Sequence, residues 1–213
     1  MKQLFRLDGA LLQWMTTLGH MILVSVFWII GCLPIITIGT STTALYYATV
    51  KSIKKGRSYV WTEFWQAYKR NFVKGSLVTS IVILLGSLFY INRNIFLETR
   101  DSGQGRMLLL FGVCLVLLAA VLVYLFPVMS RFQMKLSAML GLSFVMSLKY
   151  LPFTVLLLMS TLLVAWAQIM VLPWPLIFVV PAGLCYVNSY LIEKVLKAYT
   201  PKPADSEDAW YYE

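Results

Sequence analysis

Charged side chains are scarce in this sequence, and histidine is almost absent. Only 13% of the 213 residues are charged and a single residue is histidine, whereas 60% are hydrophobic. The mean hydropathy is +0.76. A soluble domain of this length could not bury so much apolar surface. The composition therefore excludes an ordinary soluble protein and predicts an integral membrane protein.

Cysteine is nearly as rare, and its positions exclude most cysteine chemistry. Cys32, Cys114 and Cys185 are far apart in the sequence, and each lies in an apolar stretch. No two of them have the spacing of a metal site or a disulfide framework. We expect all three to be small, buried packing residues.

Groups that could perform catalysis are missing as well. The apolar segments have no Asp or Glu in their interiors, and Glu193, near the inner end of the last one, is expected to reach interface water. A proton-coupled transporter or an intramembrane hydrolase normally needs a buried carboxylate or a histidine pair. His20 is the only histidine, and we expect it to be hydrogen-bonded or to lie at the lipid interface. The sequence contains no Walker loop, dinucleotide fingerprint or zinc-protease signature. It therefore predicts no enzyme activity, no metal site and no cofactor.

Five segments are long and apolar enough to cross a membrane as helices. A hydrocarbon core about 30 Å thick takes roughly 20 helical residues. The predicted spans are 16–36, 73–91, 107–129, 152–172 and 175–195. Two prolines in Leu172-Pro173-Trp174-Pro175 interrupt the helical hydrogen bonds between the last two spans and predict a tight hairpin turn there. The sequence thus predicts an all-α polytopic helix bundle over residues 1–200.

The basic residues predict which loops are cytoplasmic, because short loops rich in Lys and Arg stay inside. Residues 51–74 carry many basic side chains against one acid, Glu63. Residues 131–149 carry basic side chains and no acid, so both stretches are predicted to be inside. Residues 92–106 mix both signs and are predicted to be outside. This scheme puts the N-terminus outside.

The net charge of +9 follows from this topology and from anionic lipid at the inner leaflet, and no nucleic-acid partner is indicated. Seven inner residues are therefore candidate contacts with lipid or a partner protein. They are Lys51, Lys54, Lys55, Arg57, Arg131, Lys135 and Lys149.

The stretch after the first span leaves two interpretations open. A second pass over residues 38–53 would be a helix of about 24 Å, which is shorter than the hydrocarbon core. We favour a span that ends at Pro34, a helix break through Gly39, and a short helix that lies in the inner interface or re-enters it. Tyr46 and Tyr47 would then lie at headgroup depth. The competing interpretation is a full crossing, which would place the N-terminus inside.

A later part of the chain has the same order of features. A span is predicted to end at Pro127, a short helix follows between Lys135 and Lys149, and a new span begins at Pro152. The short helix would be about 20 Å long, so it too is predicted to lie at the cytoplasmic face. One interpretation is a parallel internal repeat, and the other is chance similarity between apolar segments.

Neutral polar and small residues within the spans are expected to hold the bundle together. Gln13, Gln168 and Asn188 could hydrogen-bond to neighbouring helices or, alternatively, line a substrate path. Small residues let helices approach closely. Those in the spans are Gly75, Ser76, Ser80, Gly86, Gly112, Ala119, Ala120 and Gly183.

Several stretches together resemble the YesL family of bacterial membrane proteins, which is mainly classified as a domain of unknown function. They are CLPIITIGTSTTALYYATVKSI, FWQAYKRNF, YLFPVMSRF and LKYLP. The residues that carry the resemblance are Leu33, Pro34, Thr37, Gly39, Tyr46, Tyr47, Asn71, Phe72, Pro127 and Pro152. Thr40 and Ser41 depart from the Gly-Pro expected in the family.

The resemblance implies a multi-span protein encoded beside carbohydrate ABC importers, mostly in Gram-positive bacteria. It implies an accessory or modulatory role in carbohydrate uptake at the plasma membrane, exerted by helix packing against importer permease subunits, and it brings no catalytic residues. A homo-oligomer is compatible with this role. The alternative function is a small solute transporter or channel that acts alone or as a homo-oligomer. Residues 137–152 match the coupling helix of an importer permease poorly, so we do not favour a permease subunit itself.

The C-terminal residues 201–213 contrast with the rest because they are acidic and contain two prolines. We predict a disordered cytoplasmic tail. The functional alternative is a segment whose Trp210, Tyr211 and Tyr212 contact a partner or the basic stretch 51–57 of the same chain.

Overall fold

The computed structural model describes residues 4–54, 59–99, 102–170 and 174–199. All regular elements within these ranges are helical, which confirms the predicted all-α bundle. The α-helices are α1 (Leu4–Cys32), α2 (Ile38–Ala48), α3 (Val60–Thr99), α4 (Ser102–Arg131), α5 (Leu136–Lys149), α6 (Leu151–Met170) and α7 (Val180–Lys197). Short 3₁₀ turns cover Ile35–Thr37 and Trp174–Phe178, and Thr49–Lys54 is π-helical.

Among the described residues, 4 helices are long and apolar enough to cross a membrane, and they indicate a membrane protein. They are Met15–Cys32, Val60–Phe96, Gly105–Arg131 and Leu151–Met170, which include most of the first four predicted spans.

The predicted fifth span, residues 175–195, is divided in the structure. A 3₁₀ turn precedes α7, and α7 is not among the four apolar helices because it carries Asn188, Glu193 and Lys194 within its length. It nevertheless packs antiparallel to α6. The pairs Ser160 with Asn188 and Tyr150 with Tyr199 are in contact. Of the predicted tight turn, Leu172 and Pro173 lie outside the described residues.

α3 is much longer than a membrane is thick. Its 40 residues extend over about 60 Å, twice the hydrocarbon core. Glu63, Lys69, Arg70 and Lys74 are in its first half, and Arg93 and Glu98 are in its last two turns. We therefore assign the crossing to the uncharged stretch between Lys74 and Arg93, most of which belongs to the second half. The C-terminal end of α3 packs against the N-terminal end of α4, where Phe96 lies against Gly105.

α2 lies lengthwise against the first half of α3 and runs antiparallel to it. The backbone N–H of Gly39 donates to Oγ1 of Thr79 at 2.9 Å, and the hydroxyl of Thr40 donates to the carbonyl of Phe72 at 3.2 Å. Farther along the pair, Lys51 contacts Glu63. These contacts bury most of α2, because its Gly, Ser and Thr residues allow close approach and their hydroxyls bond to backbone carbonyls.

This packing corrects two predictions about the stretch after the first span. α2 is buried against other helices, and its predicted place in the inner interface or as a re-entrant helix stays a prediction. Tyr46 and Tyr47 are only 4% and 6% exposed, so they lie in the bundle core instead of at an open headgroup surface. The predicted break through Gly39 is also wrong, since Gly39 lies inside α2 and the chain bends over residues 33–37.

Thr37 fixes that bend. Its hydroxyl lies 2.7 Å from the carbonyl oxygens of Gly31 and Pro34, so it bridges the end of α1 and the 3₁₀ turn. Leu33 and Pro34 are exposed at the bend. The hydroxyl of Thr37 therefore supplies hydrogen bonds to carbonyl oxygens where Pro34 interrupts the helical ones.

The other motif residues have separate structural roles. Asn71 is buried and donates from Nδ2 to the carbonyl of Ala67, while Phe72 is exposed and contacts Tyr68. The prediction that a span ends at Pro127 is wrong, because α4 continues past it to Arg131. Pro152 lies in the first turn of α6, where a missing N–H breaks no helical bond.

The order of elements agrees with the proposed repeat, but the packing does not. A long helix, a short helix and a long helix occur in α1 to α3 and again in α4 to α6. α2 is a buried core helix, whereas α5 buries only Met139, Ser143, Met146 and Ser147. The surface position predicted for the short helix thus fits α5 alone.

Candidate functional site

Arg131 and Glu193 form a salt bridge in the interior of the bundle. Nη2 of Arg131 contacts Oε1 of Glu193, and their side chains are only 1% and 7% exposed. The hydroxyl of Tyr46 donates to the same carboxylate oxygen at 3.4 Å. The contact joins the end of α4, the last turns of α7 and the last turn of α2. Such a pair is strongly coupled, because removing either charge would leave the other buried and uncompensated.

This pair corrects two expectations. Arg131 was predicted to face lipid or a partner, and Glu193 to reach water at the inner interface. Both side chains instead turn inward and neutralise each other. Glu193 is the only acidic residue between 102 and 204, and that isolation was the one signal in the sequence that pointed to a buried partner.

A second ion pair joins the π-helical turn to the start of α3. Nζ of Lys51 lies 2.9 Å from Oε2 of Glu63 and donates to the hydroxyl of Tyr47 at 3.1 Å. Partial burial alone would lower the pKa of Lys51, but the hydrogen bonds to Glu63 and Tyr47 outweigh it, so the pKa is raised. Lys51 is thus a structural cation.

Lys54 also points into the bundle. Its Nζ donates to Oγ of Ser189 at 3.2 Å and lies 3.8 Å from the centre of the Tyr190 ring. Burial is the main reason that its pKa is lowered. The contact ties the π-helical turn to α7, and contact of the partly buried Lys54 with lipid or a partner stays a prediction.

Two further cations bind carbonyl oxygens at the C-terminal end of α4 and just after it. Arg70 donates to the carbonyl of Ser130 at 2.8 Å, and Lys74 donates to the carbonyl of Met134 at 2.9 Å. These carbonyls belong to the last turn of α4 and the segment after it, which lack helical partners. Many basic residues of the predicted cytoplasmic stretch 51–74 therefore form contacts that join α2, α3, α4 and α7.

The remaining predicted contacts differ in their outcome. Lys135 and Lys149 are exposed, as contacts with lipid or a partner require. Lys55 and Arg57 lie outside the described residues, as do the tail residues Trp210, Tyr211 and Tyr212.

An apolar cleft of about 880 Å³ lies beside the ion pair of Arg131 with Glu193, because Tyr46, which bonds to Glu193, also forms part of the cleft wall. Its walls come mainly from α4, α6 and α7, with α1 and α2 contributing Trp28, Thr42, Leu45 and Tyr46. The volume is within the range of roughly 300–1,000 Å³ that is usual for ligand sites. We call this space the lateral cleft.

A few polar side chains interrupt the apolar lining of the lateral cleft. Asn188 accepts a hydrogen bond from Ser160 at 3.0 Å. Oε1 of Gln168 has no hydrogen-bond partner among the described residues. The structure thus brings together two of the three polar residues singled out from the sequence. The side chain of the third, Gln13, lies outside the part of the chain whose side chains are described.

The cysteines and the histidine stay apart. Cys32 and Cys185 are half-buried and Cys114 is exposed, so the prediction of burial is wrong for Cys114. His20 is exposed on α1. Over the described residues, no three His, Cys, Asp or Glu side chains come close enough to hold a metal ion.

Part of the chain matches a family of unknown function. Residues 21–93 match the family model described as "Protein of unknown function, DUF624". This region begins in α1 and ends in α3, so it includes α2, the bend at Pro34 and the ion pair of Lys51 with Glu63. Arg131 and Glu193 lie outside it.

A curated protein of Bacillus subtilis (strain 168), "Uncharacterized protein YteU", is also similar. It is 25% identical over 152 residues, which cover 70% of this chain and 67% of that protein. No solved structure matches the chain. The comparisons thus agree with a membrane protein related to a family whose function is unknown.

Proposed function

We propose that this protein is an accessory membrane subunit that packs laterally against the transmembrane helices of a partner. The proposal rests on the outer halves of α3 and α4, which expose large apolar side chains. These are Ile81, Leu84, Leu88, Ile91, Ile95, Met107, Leu110, Val113 and Leu117. Lipid covers such faces in any membrane protein, so a second feature is needed to favour a protein partner.

That second feature is a pair of glycines in the same halves of α3 and α4, Gly86 and Gly112. A Cβ placed on Gly86 or Gly112 would meet no atom within 4 Å. Glycines in membrane helices usually allow another helix to approach closely, and Gly75 of this chain does so against Thr40. Gly86 and Gly112 have no such helix among the described residues, so they offer two close-approach positions to another chain.

The resemblance to the YesL family suggests the partner. We propose a carbohydrate ABC importer whose permease subunits receive the α3–α4 surface, with a modulatory and non-catalytic role for this protein. The similarity to a Bacillus subtilis protein supports a plasma-membrane location in a Gram-positive bacterium.

The lateral cleft favours the competing function. Gln168 and Asn188 in its wall could belong to a solute path, in which case the chain would act as a small transporter or channel alone or as a homo-oligomer. The two functions differ in what the purified chain can do, because only a transporter moves solute without a partner.

Affinity purification from native membranes tests the proposal. We expect importer permeases to be recovered at a fixed stoichiometry with the wild-type chain, and to be lost when Gly86→Leu and Gly112→Leu are combined. Gly141→Leu is the matched control, because a Cβ at Gly141 of α5 also meets nothing within 4 Å. Failure to recover permeases with the wild type, together with solute flux in liposomes that contain this chain alone, would establish the transporter instead.

A further inference from the structure

We propose that the acidic segment 204–213 of this chain folds back along α7 and binds the open side of that helix, over three lysines and a pair of tyrosines. The segment lies outside the described residues, whereas the side of α7 that receives it is described throughout. Such a contact within the chain goes beyond the proposed accessory role and does not depend on it.

One side of α7 is open along most of its length, and we call it the α7 face. Its residues follow one another at helical spacing and are Gly183, Tyr186, Val187, Tyr190, Lys194 and Lys197. Val187 is 64% exposed and Tyr190 is 53% exposed, and a Cβ on Gly183 would meet nothing within 4 Å. The buried residues Ile192 and Leu196 lie on the other side of the helix. The α7 face is therefore a surface without a covering helix among the described residues.

The chemistry of the α7 face changes along the helix. Lys194 and Lys197 are exposed near its C-terminal end. Lys54 of the π-helical turn adds a third cation, because its Nζ lies 3.8 Å from the ring centre of Tyr190. The rings of Tyr186 and Tyr190 are 5.5 Å apart, edge to face, and the hydroxyl of Tyr190 donates to that of Tyr186 at 2.9 Å. From the C-terminal end backwards, the face thus presents cations first and aromatic rings second.

The three cations have no acid of their own. No carboxylate of the described residues forms an ion pair with Lys54, Lys194 or Lys197, since the nearby Glu193 turns inward to Arg131. Burial is the main cause of the lowered pKa of Lys54, and the charge of Glu193 opposes it, but the charges of Lys197 and Arg131 lower the pKa further. The C-terminal end of α7 therefore carries an excess of positive charge.

The segment after α7 has the complementary chemistry in the matching order. Pro201 and Pro203 cannot continue the helix. Acids come next and aromatic residues follow them. The acids are Asp205, Glu207 and Asp208, and the aromatic residues are Trp210, Tyr211 and Tyr212. A chain that turns back at the prolines thus meets the lysines with its acids and the tyrosine pair with its own rings.

The lengths of the two strips agree as well. From Tyr199 back to Val187 the helix axis covers about 18 Å. Extended chain from residue 204 to Ala209, after the turn, covers about 20 Å. Ala209 therefore reaches the level of Val187, between the lysines and the N-terminal end of the α7 face.

Tethering favours this segment over other anionic occupants. An anionic lipid would pair with the lysines alone, whereas the segment matches the lysines and the rings in their order. Its attachment to the end of α7 gives an effective concentration on the order of millimolar. Exposed ion pairs, which are individually weak, are sufficient to hold a segment under this condition.

Disulfide trapping in the full-length chain tests the contact. The three native cysteines are replaced by alanine, and the protein is placed in nanodiscs of phosphatidylcholine. We expect Ala209→Cys to form an intrachain disulfide with Val187→Cys on mild oxidation, as detected by mass spectrometry after proteolysis. Phe144→Cys replaces Val187→Cys in the matched control, because Phe144 is 48% exposed on α5, away from the α7 face, and there we expect little disulfide.

Charge reversal tests the role of the lysines. Lys194→Glu combined with Lys197→Glu should lower the disulfide yield about fivefold or more, since two exposed ion pairs are lost. Adding Asp205→Lys and Asp208→Lys should restore the yield. Restoration by changes in the tail distinguishes direct pairing from damage to α7, which such changes could not repair.

A second charge-reversed variant controls for net charge. Lys69→Glu combined with Lys135→Glu alters two exposed lysines outside the α7 face and should leave the disulfide yield unchanged.

Several results would overturn the proposal. They are equal yields with Val187→Cys and Phe144→Cys, an unchanged yield after reversal of Lys194 and Lys197, an equal loss in the control variant, and no restoration by the tail lysines. Disulfides formed only between two chains would assign the face to the tail of a second copy. Loss of the disulfide when phosphatidylglycerol replaces phosphatidylcholine would assign the face to anionic lipid.

Discussion

Gly39 of α2 and Gly75 of α3 lie directly against each other. A Cβ on Gly39 would be 2.9 Å from the carbonyl oxygen of Gly75, and a Cβ on Gly75 would be 2.7 Å from the backbone nitrogen of Thr40. Any larger side chain at either position meets backbone, which cannot move aside as a flexible side chain could. The two glycines therefore set the separation of α2 and α3.

We predict that Gly75→Leu destabilises the chain by about 2 kcal/mol or more, because the added atoms force α2 and α3 apart. Unfolding by SDS in mixed micelles measures the change. Gly86→Leu is the matched control in the same helix, since a Cβ at Gly86 meets nothing within 4 Å. Equal stability of the two variants would show that α2 and α3 do not pack as described.

We predict that Arg131→Met costs about 3–5 kcal/mol of folding free energy, because it leaves the buried carboxylate of Glu193 without its cation. Combining it with Glu193→Leu should restore most of the loss, since two apolar side chains of similar size can replace a buried pair. The same SDS titration measures both variants, and Lys135→Met on the surface is the control. Additive losses in the double variant would mean that the two side chains are not coupled.

We predict that the ion pair of Lys51 with Glu63 loses its effect at high pH, where Lys51 is deprotonated. A raised pKa in the folded state contributes stability that is complete below the unfolded value of 10.5 and is lost as the pH rises through the folded value. The difference in melting temperature between wild type and Lys51→Met should therefore be constant from neutral pH to about 9 and shrink above 10.5. A difference that shrinks already below pH 9 would contradict the assignment.

The apolar helices could be predicted from the sequence, whereas the ion pairs could not. Runs of apolar residues identify α1, α4, α6 and the second half of α3, because hydrocarbon thickness fixes their length. The partner of a charge depends on tertiary packing, and Arg131 and Glu193 are 62 residues apart. Glu63 is likewise the only acid between residues 9 and 97. Each isolated acid forms an ion pair with a cation of another element. The identity of that cation became clear only from the packing of the helices.

The burial of α2 was missed for a different reason. The stretch is too short to cross the hydrocarbon core and its hydroxyl and glycine residues lower its hydrophobicity, so it was predicted to be an interfacial or re-entrant helix. In a close helix pair the same residues are the ones that fit, because they are small and their hydroxyls bond to nearby carbonyls, as Thr43 does to Gly39. The polar character that suggested exposure is what permits the contact of α2 with α3.

The same packing leads to a prediction about the N-terminus. α2 returns along the half of α3 that carries Lys69, Arg70 and Lys74, so the chain stays near the side on which α1 ends. A single span before the basic stretch places the N-terminus outside. With the native cysteines replaced, Gln3→Cys should react with a membrane-impermeant thiol reagent in intact cells, whereas Lys135→Cys should react only after permeabilisation. Protection of Gln3→Cys together with Lys135→Cys would mean that α2 crosses the membrane.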